Sequence, residues 1–251
     1  MIEKILPRVV ACAEAFDDPP DAVLYPQEEA VISRAVEKRR REFRTVRHCA
    51  RQALRELGLP PAAVLPGEHR EPLWPPGIVG SMTHCAGYRA AAVARRRDLL
   101  TVGIDAEPHQ PLPSGVLEAI ALADEQIRIG ELIAAHGASH WDRILFCAKE
   151  TVYKAWFPLT QRWLGFHDAT VTIEPTALDA AMNPTVIGPT EGTFSARLLV
   201  RGPTVAGHEL TEFDGRWLIS DSLVITAIAV RTTHSGYAQT GENQGTSALP
   251  G

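Results

Sequence analysis

From position 27 to position 57 apolar residues return every three or four places: Val46, Ala50, Ala53, Leu54 and Leu57 share one side of a helix, and Gly58 and Pro60 follow as stop signals. This spacing predicts one long helix over 27–57. The period then shortens. Residues 78–84 and 88–94 read as two strands around a turn at Ala86-Gly87, and the β-branched run over 99–104 predicts a third. Pro108, Pro111 and Pro113 force a loop. Helical spacing resumes over 117–135 and again over 141–157, where Ile144, Leu145, Ala148, Val152 and Trp156 form the inward side. Stretches at 171–173, 194–200, 216–219 and 223–230 alternate as strands do, with Gly and Pro at the joints.

Helix then strands, followed by helices then strands, is the order of an α+β fold. It predicts two similar halves meeting near residue 105, one over 1–105 and one over 106–231. Past that point the Ser-, Gly-, Thr- and Asn-rich residues carry no apolar anchors, so 232–251 is expected to be a disordered tail. A composition of 45% hydrophobic and 22% charged residues gives 251 residues enough core for one large domain or two small ones.

The net charge of -5 and pI near 6.0 argue against a nucleic-acid binder held by phosphate contacts. Residues 223–230 are too few to span a bilayer, and Glu3, Lys4, Arg8 and Glu14 break up the apolar start that a signal peptide needs. Cys12, Cys49, Cys85 and Cys147 form no C-x-x-C pair and are expected reduced. No membrane partner and a cytoplasmic location follow as expectations.

Two segments carry candidate chemistry. In Gly103-Ile104-Asp105-Ala106-Glu107 the strand period places Asp105 and Glu107 on one face at a strand end. Two such carboxylates repel unless a cation sits between them, and hard oxygen donors suit magnesium; the bland alternative is an exposed strand end. In Phe146-Cys147-Ala148-Lys149-Glu150-Thr151-Val152-Tyr153-Lys154, Glu150 and Lys154 share a helix face at i and i+4, and Lys149 lies about a quarter-turn away. Glu150 is either a third oxygen ligand with phosphate-binding lysines beside it, or half of an ordinary helix ion pair. Upstream, Lys38-Arg39-Arg40-Arg41 with Arg44 and Arg47 makes a basic run, which alone reads as a solvated face.

Taken with Ser81-Met82-Thr83-His84, these segments make the chain resemble the monomeric, two-halved 4'-phosphopantetheinyl transferases. That family carries G-[IV]-D-x-E and, about forty residues later, a W/F-x-x-K-E-[AS]-x-x-K helix. Residues 103–107 and 146–154 match in order and spacing. The likeness runs from 39 to 164, and Trp156-Phe157-Pro158-Leu159-Thr160 with Trp163-Leu164-Gly165-Phe166 is similar to the actinobacterial branch.

The resemblance implies two α/β halves in pseudo-two-fold relation, each an antiparallel sheet packed by helices, with the active site in the cleft between them. It implies transfer of the phosphopantetheine arm of coenzyme A to a serine of an acyl or peptidyl carrier protein. Asp105, Glu107 and Glu150 then surround magnesium, with manganese as the alternative ion, and Glu150 also serves as base. Lys149 and Lys154 neutralise the pyrophosphate. Arg39, Arg47 and His84 hold the 3'-phosphate and adenine end, with Ser81 and Thr83 beside them.

Thr151 and Phe146 depart from the family's usual residues, and the basic residue that relatives carry before the strand of His84 has its nearest counterparts in His69 and Arg70. The carrier, an acidic helical bundle in that family, is expected to dock along the cleft near 111–122, steered by the basic patch over 39–51. A chain holding both halves needs no second copy to complete the site, so a monomer is expected. A magnesium-dependent pyrophosphate hydrolase and a non-catalytic coenzyme A-binding module stand as rivals.

Overall fold

The computed structural model describes residues 1–137, 139–176 and 190–232, so the tail expected over 232–251 lies outside the described residues except for Thr232. A short 3-10 turn, Ile2–Ile5, leads into strand β1 (Ala11–Ala15), then helices α1 (Pro26–Ile32) and α2 (Glu37–Glu56). The single helix expected over 27–57 is therefore two. Side chains that periodicity does not report hold the break. The Arg40 guanidinium donates to the carbonyls of Ile32 (3.3 Å) and Ser33 (3.4 Å), which are acceptors freed at the end of α1. Buried Glu28 of α1 accepts from Arg51 of α2 at 3.0 Å and from the Val64 N–H at 2.8 Å. The stop of α2 falls where expected: Gly58 takes a left-handed φ of 73°, and the N–H groups of Gly58 and Leu59 close back on Arg55 and Leu54.

Strands β2 (Leu65–Pro66) and β3 (Pro72–Leu73) form a small ribbon. The hairpin expected around Ala86-Gly87 is present as β4 (Ile78–Cys85) and β5 (Tyr88–Arg95), and β1 adds to β5 to give an antiparallel sheet of order β1-β5-β4. No expectation covered β1, because its half-buried Ala-Cys-Ala-Glu-Ala shows almost no polar alternation.

Strand β6 (Leu99–Pro108) runs past its expected end at 104. Helix α3 (Val116–Ile120) and helix α4 (Ala123–His136) replace the one helix expected over 117–135; the Glu125 carboxylate accepts the Leu122 N–H at 2.7 Å and so starts a new helix there. Helix α5 (Trp141–Thr160) continues through Pro158 to Gln161, whose φ of 53° ends it. The remaining strands are β7 (Ala169–Pro175), β8 (Glu191–Leu198), the ribbon β9 (Thr204–Val205) and β10 (His208–Glu209), then β11 (Glu212–Ser220) and β12 (Leu223–Arg231). A second antiparallel sheet has the order β6-β12-β11-β8-β7.

The boundary drawn at residue 105 runs through β6, which is laddered to β12 in the second sheet. Against the first sheet, β6 meets the edge strand β4 without a backbone ladder. Hydroxyls take its place: Ser81 accepts the Ile104 N–H and Thr83 accepts the Ala106 N–H, both at 3.1 Å. An edge strand's free N–H groups are thereby satisfied inside the molecule.

On one face of the sheets α2 packs Cys49, Ala50, Ala53 and Leu54 on Ala91 and Val93, and α5 packs its expected inward set on Phe194 and Trp217. On the other face one core spans both sheets, joining Tyr88, Ala90 and Ala92 of β5 to Leu99, Val102 and Ile104 of β6 under Ile2 and Ile5. Gly103 faces α5, where a Cβ would stand 2.5 Å from the Thr151 carbonyl oxygen. The glycine lets helix and strand approach closely, and Asp105 and Glu107, two and four residues on, face the same side.

Candidate active site

Asp105 sits mid-strand rather than at a strand end, paired with Thr226 of β12, and only 5% of it is exposed. Its Oδ1 accepts from the Thr83 hydroxyl (2.9 Å) and from Lys154 Nζ (2.7 Å), whereas its buried Oδ2 has no hydrogen-bond partner. Glu107 pairs with Arg143 at 3.2 Å. Burial and then the Asp105 charge push the Glu107 carboxyl up to about 7, against the opposing pull of Arg143 and Lys154, and Glu150 adds to the push. Glu150 is raised likewise, by burial first and Asp105 second. The three carboxylates therefore sense one another across the gap between β6 and α5. They do not form a closed cage: among the described residues no three His, Cys, Asp or Glu side chains are gathered as a ready metal site.

The two lysines part company. Lys154 donates to Asp105, to the Ile104 carbonyl (3.1 Å) and to the Met82 carbonyl (3.3 Å), so it binds the seam between β4 and β6 rather than pairing with Glu150. Burial alone would lower its pKa, but Asp105 and Glu150 hold it above the ordinary lysine value. Lys149, expected at the pyrophosphate, is turned to the far side of α5. It is 5% exposed and donates to Glu125 (2.9 Å), the Phe166 carbonyl (2.6 Å) and the Ala169 carbonyl (3.0 Å). All three ammonium hydrogens are used there, because one residue of helix is about 100° of rotation. Lys149 is absent from the lining of the larger of two cavities beside Glu150 and reaches only the smaller one, which it shares with Glu150.

Ser81 and Thr83 are likewise buried at the seam, where Ser81 accepts the Ile104 N–H and Thr83 accepts the Ala106 N–H and donates to Asp105, and both line the larger cavity. Arg39 and His84 do come together from α2 and β4. Arg39 Nη1 donates to His84 Nε2 at 2.6 Å, and His84 Nδ1 lies 3.7 Å from Glu42. Burial and the Arg39 charge lower the His84 pKa, so the ring is neutral at neutral pH and a natural acceptor for the arginine. Arg47 is buried over the Phe43 ring, with Nε donating to the Val64 carbonyl at 2.9 Å; burial brings its pKa down to about 9. Arg51 is also buried, on Glu28, so the exposed part of the basic patch ends before it.

A cavity of about 580 Å³ joins these groups: Arg39, Arg47, His84, Asp105, Glu150 and Lys154 all line it. Its size suits a large cofactor or substrate. The loop between β2 and β3 also reaches it. Arg70 takes a left-handed φ of 69° and His69 stacks edge-on against Phe157 at 5.4 Å, so both of the loop's basic residues line the wall with Trp74. Tyr153 and Phe157 were placed on α5 by periodicity, but nothing in their spacing marked them as cavity residues. A second cavity of about 290 Å³ also borders Glu150 and is walled by Lys149, Val152, Tyr153, Leu164, Phe166 and the largely exposed Trp163. The departure at Thr151 is accommodated, since its hydroxyl donates to Thr226, which donates in turn to the Cys147 carbonyl.

A family model for the 4'-phosphopantetheinyl transferase N-terminal domain matches residues 27–94, and one for the 4'-phosphopantetheinyl transferase superfamily matches residues 101–189. The chain is 51% identical over 234 residues to the 4'-phosphopantetheinyl transferase PptT of Mycobacterium tuberculosis, covering 92% of this chain and 98% of that protein. The chain belongs to the 4'-phosphopantetheinyl transferase superfamily. This transferase is also 47% identical over 251 residues to 4'-phosphopantetheinyl transferase Svp of Streptomyces mobaraensis, across 99% of this chain and 96% of that one. With 4'-phosphopantetheinyl transferase Npt of Nocardia iowensis it shares 51% identity over 232 residues, 91% of this chain and 99% of the relative. The gap between the two matched segments of the transferase, 95–100, coincides with the crossing from β5 to β6, where one sheet gives way to the other.

Proposed function

We propose that the chain moves the 4'-phosphopantetheine arm of coenzyme A to a serine of an apo acyl or peptidyl carrier domain, releasing adenosine 3',5'-bisphosphate. The observation that carries this reading is one cavity lined by the cationic Arg39, Arg47, Arg70 and Lys154, by His84, and by the carboxylates Asp105 and Glu150. Coenzyme A has matching chemistry, with a 3'-phosphate at one end of the nucleotide and a pyrophosphate at the other. Arg39, His84 and Arg47 hold the 3'-phosphate and adenine end, joined by Arg70 of the loop. Lys154 adds positive charge beside the pyrophosphate while it restrains Asp105.

Though the described residues do not gather it into a closed cage, the donor set has chemistry that fits a divalent cation. Asp105 presents a buried oxygen without a hydrogen-bond partner, and Glu107 and Glu150 are pushed up by burial first and by the Asp105 charge second, the part that a cation would relieve. Asp105, Glu107 and Glu150 would hold magnesium, or manganese in its place, and the ion would supply Lewis-acid polarisation of the phosphoryl oxygens. In this reading Glu150 is also the general base for the serine hydroxyl, directly or through water; such a base contributes roughly 10²–10⁴-fold. The burial around it strengthens every charge interaction in the cleft.

The carrier docks along the cleft beside 111–122. Steering falls to the exposed cations Lys38, Arg39 and Arg41. We place the protein in the cytoplasm as a monomer of two halves, 1–105 and 106–231; its four free cysteines suit a reducing compartment, and no helix among the described residues is long and apolar enough to cross a membrane. Intact-mass analysis of apo carrier incubated with coenzyme A and magnesium tests the assignment. The expected result is a mass gain of one phosphopantetheine arm on the carrier, abolished in Glu150→Gln. Coenzyme A cleavage without carrier would instead identify a hydrolase, and binding with no turnover a coenzyme A-binding module.

A further inference from the structure

Arg143, in the first turn of α5, has no role in the transfer described above, yet its guanidinium is bonded on three sides. Nη1 donates to Glu107 Oε2 at 3.2 Å, Nε to the Gln110 carbonyl at 3.0 Å and Nη2 to the Pro111 carbonyl at 3.0 Å. One residue earlier, Asp142 accepts the Leu112 N–H at 2.7 Å, so the first turn of α5 is fastened at three points to the loop leaving β6 and at a fourth, Glu107, to β6 itself. The Arg143 side chain is 14% exposed and that of Glu107 25%. Among the described residues Glu107 accepts no other side-chain hydrogen bond, so without Arg143 nothing fixes the direction of its carboxylate.

We propose that Arg143 is a positioning residue for Glu107: it holds Oε2 and turns Oε1 toward the cation shared with Asp105 and Glu150. This rests on the reading of those three carboxylates as cation ligands. The planar fork is what the task requires, because one rigid guanidinium reaches a carboxylate and two carbonyls at once, which a flexible ammonium cannot reproduce. Asp105 is held in the same manner, with Thr83 and Lys154 on Oδ1 and a buried Oδ2 that has no hydrogen-bond partner, so each strand carboxylate has one oxygen restrained and one without a partner among the described residues.

A second role, plain neutralisation of Glu107, makes the opposite forecast. Removing a positive charge from beside a cation site tightens cation binding, whereas removing a positioning partner weakens it, by roughly 10–100-fold for the supporting partners of metal ligands. The experiment is manganese binding read by electron paramagnetic resonance with saturating coenzyme A, against a protein-free blank. Wild type, Arg143→Lys, Arg143→Gln and Asp105→Asn are compared, with thermal melts recorded for each. Positioning gives weaker binding by about tenfold in both Arg143 variants, although the lysine keeps the charge. Unchanged binding in Arg143→Lys, or equal or tighter binding in Arg143→Gln, overturns the proposal. If Arg143→Gln does not fold, Arg143→Lys alone decides. If wild type binds no manganese, or Asp105→Asn binds as wild type does, the cation assignment itself has failed, and the two failures are told apart.

Discussion

At the scale of single residues, the clearest consequence of the site is a cost that depends on pH. The Glu107 carboxyl, at about 7 in the folded protein, is far above the value near 4.3 of an unfolded chain. A folded state that binds a proton more tightly than the unfolded state is favoured by acid. This contribution is therefore fully present below about pH 4 and is lost as pH rises through 7, amounting to at most about 4 kcal/mol. In chelator, the melting temperature is expected to fall across that window, and Glu107→Gln, neutral throughout, should flatten the fall. An equal slope in the variant would show that the groups responsible lie elsewhere. The residues of this site were unevenly legible in the sequence. The strand period put Asp105 and Glu107 on one face, and the helix motif supplied Glu150. The orientations of Lys149, Ser81 and Thr83 depended on partners from other elements, Glu125, Ile104 and Ala106, and no local pattern shows those.

At the scale of elements, α5 does two jobs from two faces, which makes the placement of Lys149 testable. Lys149 and Glu125 form a buried pair, 3% and 1% exposed, that ties α5 to α4, while the Glu125 carboxylate also accepts the Val171 N–H of β7 at 2.7 Å. Lys149→Met leaves Glu125 buried without its cation, a loss of about 3–5 kcal/mol. Urea denaturation should register it, and the KM for coenzyme A of the folded fraction should not change. A raised KM with stability intact would return Lys149 to the cleft. Element boundaries were the weakest part of the sequence reading for a related reason. The breaks between α1 and α2 and between α3 and α4 contain no Gly or Pro and are made by Arg40, Glu28 and Glu125, long side chains acting across the fold.

At the scale of the whole molecule, the sheets of the two halves share one apolar core beneath the seam of β4 and β6. Neither half can expose its side of that core without exposing the other's, so the described body should unfold in one step. Far-ultraviolet circular dichroism and tryptophan fluorescence are expected to give coincident urea transitions; separated midpoints would mean that the halves hold themselves together independently. The α+β class and the two-fold rhythm of helices and strands were visible in the sequence, whereas the transfer of β6 to the second sheet was not, since chain order alone does not say which neighbour a strand takes.

The Oδ1 atom of Asp105 is gripped from both halves, by a hydroxyl of β4 and an ammonium of α5. Replacements at Thr83 and Lys154 should therefore show strong epistasis, each altering the damage done by the other. Grafting one half of this chain onto the opposite half of a distant relative would demand that these two side chains travel together.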